Sequence, residues 1–394
     1  MNADTPEQKV VDILRQNKID IAATLPCDRI KALLPLIARN IKTLPLTREE
    51  NGAGICAGVY LGGGRPVMVI QSTGIGNMIN ALLSLNLTYS IPLPIIASWR
   101  GVYKESIEAQ WQLGRRLPEI LAASGIMFTI IESLKEIERL DKAIKESFSN
   151  SHPHVVLVSP AVWEGSTSEI PEPMDICNRN IDLVFSGTIQ RPVLTRYEAI
   201  KTIVETIDED AGDNIIVANL GIPSKELFEI GDRELNFYML GSMGLVSSIG
   251  LGLSITQKKH VYVIDGDGSL LMNPNALISI GEYPTPNLTI IALDNASYGS
   301  TGNQETCTQS LIDLELLAKA SGINDTVKAH SQDDLSESLR RKAQFIHVIV
   351  KPVNARCKEI PFSANEIKKR FMSALQNTCN QHKSTAYSCG CARI

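Results

Sequence analysis

The sequence has no excess of basic residues and no long hydrophobic run. Lys and Arg number 38 against 43 Asp and Glu, for a formal net charge of -5, so the chain offers none of the basic patches that bind nucleic acid. Apolar runs such as 94–97 and 288–293 are far shorter than the roughly 20 residues that cross a bilayer. The N-terminus also lacks the basic-then-apolar layout of a secretory signal. These absences predict a cytoplasmic, soluble protein that binds neither nucleic acid nor membrane.

Cysteines are sparse over most of the chain. Five of the eight are scattered between residues 27 and 357, which is typical of free thiols in a cytoplasmic protein. The other three lie near the C-terminus, where Cys379, His382, Cys389 and Cys391 could supply four metal ligands. Their spacings match no zinc motif, so residues 377–394 are interpreted as a polar tail.

Strand and helix patterns alternate along the rest of the chain. A length of 394 residues with 44% apolar content allows two or three domains with sizeable cores. Apolar runs rich in β-branched residues are separated by amphipathic segments, which favours parallel sheets covered by helices on both faces. The alternation stops at 161–192, a stretch rich in Pro, Ser, Glu and Asn. We therefore predict two doubly wound α/β domains, 1–160 and 193–376, joined by a linker with no middle domain.

The predicted elements fall into two similar series. Strands are expected at 66–70, 93–98, 127–131 and 154–158 in the first domain and at 214–218, 260–264, 287–293 and 345–351 in the second. Helices are expected at 77–87 and 134–148, then at 196–206, 224–230, 245–256, 275–281, 311–320 and about 364–375.

Two polar turns follow strands of the second domain. Asp265-Gly-Asp-Gly follows the strand at 260–264, and Asp294-Asn295 follows the strand at 287–293. Open parallel sheets bind ligands at the carboxyl ends of their strands. A carboxylate at Asp267 and an amide oxygen at Asn295 suit Mg²⁺, while Gly266 and Gly268 allow a phosphate to approach the backbone. If the two strands are neighbours, this pattern predicts a metal–diphosphate site.

The same segment resembles the GDG…NN signature of thiamin-diphosphate enzymes. The resemblance implies that Asp267, Asn295 and the main-chain carbonyl of Ser297 bind Mg²⁺. It also implies that Gly266, Gly268 and Ser269 contribute to the diphosphate site. Asp294 departs from the signature because it stands in place of the first Asn, a position that does not bind the metal.

Two further segments carry this resemblance. Residues 241–254 resemble the loop that supports the bent cofactor, in which the carbonyl of Gly241 would accept from the cofactor's amino group and Met243 would separate its two rings. Residues 48–66 resemble the helix of the pyrimidine-binding domain, whose glutamate stands nine residues before a glycine. Counting back from Gly58 selects Glu49, and the adjacent Glu50 remains open.

The resemblance gives Glu49 a catalytic role. A carboxylic acid bonded to the pyrimidine ring nitrogen promotes the imino tautomer, and the cofactor then serves as nucleophile and electron sink. The protein needs no nucleophile of its own. The six histidines are accordingly interpreted as structural or exposed.

The absence of a middle domain narrows the resemblance to short decarboxylases that act on sulfopyruvate or phosphonopyruvate. Segments 24–34 and 299–304 are more similar to the sulfopyruvate enzymes, whose two subunits would here be fused end to end. Trp111 stands where a histidine is expected in the phosphonopyruvate enzymes. The resemblance therefore implies conversion of 3-sulfopyruvate to sulfoacetaldehyde, in coenzyme M biosynthesis, with phosphonopyruvate decarboxylation as the alternative.

An anionic 2-oxo acid requires cationic and amide donors. The matched segments offer four candidates for substrate binding, namely Arg29, Asn77, Arg100 and Gln304. Family geometry places Glu49 and Asp267 of one site on different chains, so a homodimer or a dimer of dimers is expected.

A dinucleotide-binding oxidoreductase is a distant alternative. Gly74 and Gly76 follow a strand and open a helix, but Ile79 replaces the third glycine of that fingerprint. The acidic residue expected after the next strand is also absent.

Overall fold

The computed structural model describes residues 5–166, 187–209 and 213–387, with side chains up to residue 377. The chain forms two α/β domains, each built on a parallel sheet. Within the described ranges, every helix is too short or too polar to cross a membrane.

The first domain contains a sheet of six parallel strands in the order β2-β1-β3-β4-β6-β5. Its strands are β1 (Ile21–Thr24), β2 (Lys42–Pro45), β3 (Pro66–Gln71), β4 (Leu93–Ser98), β5 (Met127–Ile131) and β6 (Pro153–Val158). Its helices are α1 (Pro6–Gln16), α2 (Leu33–Asn40), α3 (Glu49–Leu61), α4 (Ile75–Ala81), α5 (Glu108–Ala123) and α6 (Arg139–Asn150).

The second domain contains a sheet in the order β14-β15-β11-β10-β8-β9, with β7 added beside β15. Its strands are β7 (Leu194–Thr195), β8 (Ile215–Ala218), β9 (Asn236–Tyr238), β10 (Val261–Gly266), β11 (Leu288–Asp294), β14 (Thr326–Ala329) and β15 (Phe345–Lys351), and a separate hairpin pairs β12 (Ser297–Tyr298) with β13 (Gln304–Glu305). Its helices are α7 (Arg196–Glu209), α8 (Ile222–Ile230), α9 (Val246–Thr256), α10 (Asp267–Met272), α11 (Asn275–Glu282), α12 (Leu314–Ala320), α13 (Gln332–Arg340) and α14 (Ala364–Tyr387).

Central strands are buried along their whole length. Every residue of β4 and of β11 is buried, because helices cover both faces of each parallel sheet. This explains why the strands read as continuous apolar runs in the sequence. The predicted fold class, two parallel α/β domains without a middle domain, is confirmed.

The structure differs from the prediction at several element boundaries; for example, the helices expected to begin at 134 and 311 begin at Arg139 and Leu314. The helix expected at 77–87 begins at Ile75, and its second half, Leu82–Leu87, is a π-helix. Gly266 belongs to β10 and Asp267 starts α10, so part of the expected turn is regular structure. Helix α14 continues to Tyr387, across the expected start of a tail at 377. Cys389 and Cys391, like residues 167–186 of the expected linker, lie outside the described residues.

The two domains meet through α3 and α9, whose backbones are in direct contact. A Cβ atom built on Gly58 would lie 2.1 Å from the carbonyl oxygen of Ile249, and one built on Gly252 would lie 2.1 Å from that of Ile55. Beside this contact, the buried Asn51 donates to Ser279 Oγ at 2.7 Å and accepts from the Ser248 hydroxyl. Any side chain at these glycines would force the helices apart.

We therefore expect Gly58→Ala to lower the free energy of unfolding by about 2 kcal/mol, the usual size of an overpacking penalty. This loss should appear although Ala is favoured over Gly inside a helix by about 1 kcal/mol. Urea unfolding would measure it. Gly231→Ala is the control, because its added Cβ would lie 3.7 Å from Val204 Cγ1, an ordinary contact. Equal stability of the two variants would contradict the close backbone contact.

Candidate active site

The two polar turns predicted from the sequence lie side by side. Strands β10 and β11 are parallel neighbours, with Gly266 opposite Leu293. Asp267 and Asn295 therefore follow adjacent strands at the same edge of the sheet, and both are buried. This is the edge where parallel sheets bind ligands.

Asp267 is a buried carboxyl group held by a threonine. The Thr306 hydroxyl donates to Asp267 Oδ2 at 2.5 Å. Burial and, secondarily, the nearby charge of Asp294 raise the pKa of Asp267 to about 6. A cation bound here would favour the charged form of Asp267, because an opposite charge lowers the pKa of a carboxyl group. The donor set of Asp267 and Asn295 thus fits Mg²⁺, which prefers oxygen ligands.

Asp294 has partners of its own. Its Oδ2 lies 2.8 Å from Nε2 of the fully buried His347, and its Oδ1 accepts from the Thr308 hydroxyl at 2.8 Å. Burial alone would lower the pKa of His347, but bonding to Asp294 and the charge of Asp313 raise it on balance. His347 and Thr308 therefore offset the negative charge of Asp294, which leaves Asp267 as the carboxylate available to a cation.

Sequence reasoning missed Thr306, Thr308 and His347 as parts of this site. The two threonines lie just after the β12–β13 hairpin, and their role depends on how that segment folds back onto β10 and β11. His347 was interpreted as structural or exposed, and its buried position in β15 agrees with the structural role.

The remaining residues expected around the diphosphate are packed against one another. Asn295 Oδ1 accepts from the Ser297 amide at 3.2 Å, and Ser269 Oγ accepts from the Gly244 amide at 3.1 Å. A Cβ atom on Gly268 would lie 2.3 Å from Tyr298 Cε1, so only glycine fits there. The hydrogen bond between Ser269 and Gly244 therefore connects the residues expected around the diphosphate to the segment that carries Gly241 and Met243.

The structure distinguishes Glu49 from Glu50. Glu49 is the first residue of α3 and is buried; Asn77 Nδ2 donates to its Oε2 at 3.0 Å. A Cβ atom on Gly74 would lie 2.1 Å from Glu49 Oε1, so a glycine makes room for the carboxyl group. Glu50 instead lies 3.4 Å from Arg48 at the partly exposed surface. The geometry favours Glu49, as counting from Gly58 did.

Helices α3 and α9 run parallel, which brings their N-terminal ends together. Gly54 lies against Ser248, and Gly58 lies against Gly252. Glu49 precedes Gly54 by five residues, and Met243 precedes Ser248 by five. The expected catalytic glutamate and the expected cofactor loop therefore approach each other within one chain, whereas the resemblance implies that they come from different chains.

Arg100 is paired with an acidic residue that sequence reasoning did not single out. It is buried, and its Nε and Nη2 atoms donate to the two carboxylate oxygens of Glu105 at 2.6 and 3.0 Å. The Arg100 hydrogen bonds lower the pKa of Glu105 to about 2, so the pair is charged on both sides at neutral pH. Arg100 therefore has no free charge for a substrate anion.

Arg29 lies beside the Arg100–Glu105 pair. Its Nη2 atom is 4.0 Å from Glu105 Oε1, and its buried Nε atom makes no hydrogen bond but lies 3.8 Å from Asp28 Oδ2. Gln304, by contrast, is exposed on the hairpin of the other domain, where it bonds to Thr301. Three of the four candidates follow strands of the first-domain sheet, namely Arg29, Asn77 and Arg100. Gln304 lies in the second domain.

Family models match both domains. The N-terminal TPP binding domain of thiamine pyrophosphate enzymes matches residues 5–118, and the C-terminal TPP binding domain matches residues 225–350. A sulfopyruvate decarboxylase of Methanosarcina acetivorans is 53% identical over 94% of this chain and 97% of its own length. This chain belongs to the sulfopyruvate decarboxylase family of thiamine pyrophosphate enzymes.

Other sulfopyruvate decarboxylases have the two halves as separate proteins. In Methanocaldococcus jannaschii the alpha subunit is 38% identical over 39% of this chain and the beta subunit is 44% identical over 46%, covering 94% and 98% of the subunits. The expected end-to-end fusion is therefore confirmed.

More distant relatives share the fold. A phosphonopyruvate decarboxylase of Streptomyces viridochromogenes is 30% identical over 85% of both chains. A benzoylformate decarboxylase structure from Polynucleobacter necessarius has a TM-score of 0.67 at 11% identity, covering 89% of this chain and 99% of its own. The similarity to the latter concerns the fold alone.

The raised pKa of Asp267 predicts how pH affects the metal-free protein. Its folded pKa of about 6 lies above the ordinary value of 3.8, so the folded state binds more protons than the unfolded state between these pH values. The wild type should lose stability relative to Asp267→Asn as pH rises from about 4 to about 6, by up to roughly 3 kcal/mol.

Urea unfolding in EDTA at several pH values would measure this difference. Glu50→Gln is the control, since it exchanges a carboxyl for an amide at the surface. A stability difference between wild type and Asp267→Asn that does not change with pH would contradict the buried, uncompensated carboxylate.

Proposed function

We propose that this protein decarboxylates 3-sulfopyruvate to sulfoacetaldehyde and CO₂, using thiamin diphosphate and Mg²⁺. The observation that carries the proposal is the 53% identity to a sulfopyruvate decarboxylase across both domains, against 30% to a phosphonopyruvate decarboxylase. The reaction would serve coenzyme M biosynthesis in the cytoplasm.

Asp267, Asn295 and the carbonyl of Ser297 would hold the metal, and Gly266, Gly268 and Ser269 would lie against the diphosphate. Thiamin diphosphate supplies a nucleophilic carbon for the 2-oxo group and an electron sink for decarboxylation. Placing the metal at Asp267 agrees with the chemistry of that residue, because a buried carboxylate needs a compensating charge.

Glu49 would hold a proton against the pyrimidine ring. Its carboxyl group is oriented by Asn77 Nδ2 and lies against Gly74, and the residue is buried. A buried acid with a fixed orientation is the arrangement that proton transfer to a bound group requires.

Arg29 is the best candidate to bind the second anionic group of the substrate. Arg100 is satisfied by Glu105, so we assign it the role of fixing the loop that carries Glu105. The Arg29 guanidinium, which has ion-pair contacts at 3.8 Å to Asp28 and 4.0 Å to Glu105, would donate to sulfonate oxygens in the charge-assisted manner that favours arginine.

The substrate assignment is tested by offering sulfopyruvate and phosphonopyruvate separately to the protein loaded with thiamin diphosphate and Mg²⁺. We expect sulfoacetaldehyde formation with a kcat/KM at least 100-fold above that for phosphonopyruvate, measured by quantifying each aldehyde. A preference for phosphonopyruvate would replace the proposed substrate with the alternative.

Replacing the buried Glu49 carboxyl group by an amide should strongly reduce turnover. We expect Glu49→Gln to retain the fold and to lose roughly 10²–10⁴-fold in kcat, the usual size of an acid–base contribution. Glu50→Gln is the matched control and should keep near wild-type activity, because Glu50 faces Arg48 at the surface. The reverse result would move the catalytic assignment by one residue.

We also propose a homodimer or a dimer of dimers, as the family resemblance implies, with each active site formed within one chain, where Glu49 and the segment that carries Gly241 approach each other. The test mixes Glu49→Gln chains with Asp267→Ala chains under conditions of subunit exchange. Sites formed within each chain carry one defect each, so the mixture should stay inactive although exchange is confirmed. Sites shared between chains would give one intact site per mixed dimer, so a return of activity toward a quarter of the wild-type level in an equal mixture would contradict sites formed within one chain.

A further inference from the structure

Ser242, in the loop before α9, adopts a backbone conformation that needs external support. Residues 239–245, which we name the 239–245 loop, connect β9 to α9 and contain Gly241 and Met243. Ser242 has φ +58° and Gly244 has φ +90°, both in the left-handed region. For a residue other than glycine this conformation costs energy and persists only where its surroundings fix it.

The second domain supplies only part of that support. Ser269 Oγ accepts from the Gly244 amide at 3.1 Å, and Asn273 Nδ2 donates to the Gly244 carbonyl at 3.0 Å. Both bonds fix the end of the loop that adjoins α9. At the other end the Met239 amide donates to the Ala218 carbonyl of the second domain at 3.1 Å, and the residues from Leu240 to Ser242 are held from the first domain.

Tyr89 of the first domain binds the start of the loop twice. Its side chain is fully buried, and its hydroxyl donates to the Tyr238 carbonyl at 3.0 Å and accepts from the Leu240 amide at 2.7 Å. Its ring packs on Phe237, with centroids 5.3 Å apart. The hydroxyl thus fixes the peptide groups on either side of Met239, immediately before Gly241.

Ser84 fixes the strained residue itself. Its hydroxyl donates to the Asn80 carbonyl at 2.7 Å and lies 2.6 Å from Ser242 Oγ. Since a serine has a single O–H, Ser242 is the donor between the two serines. A Cβ atom on Gly241 would lie 3.3 Å from the Ser84 carbonyl oxygen, so the loop passes directly over this turn.

One helical segment connects these contacts to Glu49. Gly74 and Asn77 contact Glu49 at the beginning of this segment, Ser84 lies in its π-helical part, and Tyr89 lies at its end. The insertion of a π-helical turn changes the direction of the side chains that follow, and such turns are frequent at functional sites. The segment therefore sets the distance between Glu49 and the 239–245 loop.

We propose that Tyr89 and Ser84 are positioning residues that align the Gly241 carbonyl with Glu49, so that both can bind the aminopyrimidine of thiamin diphosphate at once. The inference rests on the proposed function, which assigns Gly241 and Glu49 to the cofactor. It adds that the first domain controls the geometry of the cofactor loop through two hydroxyl groups.

The test compares binding of two ligands, thiamin diphosphate and its analogue without the pyrimidine amino group, by calorimetry with Mg²⁺ present. Tyr89→Phe removes the hydroxyl and keeps the ring. We expect it to weaken thiamin diphosphate binding about tenfold, the effect of losing about one buried hydrogen bond. Binding of the analogue should weaken less than about twofold, because it makes no bond to the Gly241 carbonyl.

Hydrogen exchange in the cofactor-free protein provides a second readout. The Leu240 amide should exchange faster in Tyr89→Phe than in the wild type, since its acceptor is gone. Tyr60→Phe is the control, because it removes a hydroxyl that bonds to Ser151, away from the loop. This control should leave both affinities and the exchange of 236–245 unchanged.

Ser84→Ala keeps the proposal testable if Tyr89→Phe does not fold, and the same selective loss is expected. Equal weakening of both ligands, or no weakening, in the folded variants would overturn the positioning role while leaving the proposed function intact. A wild-type protein that binds neither ligand would overturn the proposed function, and this inference with it.

Discussion

The direct contact between the backbones of α3 and α9 is the constraint on which the site depends. Helices can approach this closely only where glycines face each other, as Gly58 and Gly252 do. Because the helices run parallel, the contact also brings their N-terminal ends together, and Glu49 and Met243 lie just at or before those ends. A larger side chain in this contact would separate the Glu49 carboxyl group from the loop that carries Gly241 and Met243 while leaving each domain's sheet unaffected.

Charge at the site is divided between paired and available groups. His347 and Thr308 occupy the oxygens of Asp294, and we propose that Asp267 is the carboxylate that binds the cation. In the same way Glu105 occupies Arg100, and we propose that Arg29 binds the substrate anion. A buried charge that is already paired contributes to the shape of a site rather than to ligand binding. Two residues of the same type therefore have different uses, according to their neighbours.

Much of the fold could be predicted because parallel strands buried on both faces are continuous apolar runs, as in β4 and β11. The boundaries at Leu82–Leu87 and beyond residue 377 could not. A π-helix has no distinct periodicity over six residues, and a polar sequence such as the end of α14 gives no apolar face to predict from. The Asp267 and Asn295 pair was recognisable because both directly follow strands, whereas Thr306 and Thr308 reach the site by a loop whose path the sequence does not encode locally.

The two-domain organisation, the family, the Asp267 and Asn295 pattern and the spacing of Glu49 from Gly58 could all be predicted from the amino-acid sequence. These are local features, set by residue type and by spacing along one strand or helix. The folded chain was needed to show that Glu50 lies at the partly exposed surface, that Arg100 is paired with Glu105 and that Tyr89 bonds to the loop before Gly241. Each of these depends on which distant side chains meet, and such contacts form only when strands and helices far apart in sequence pack together.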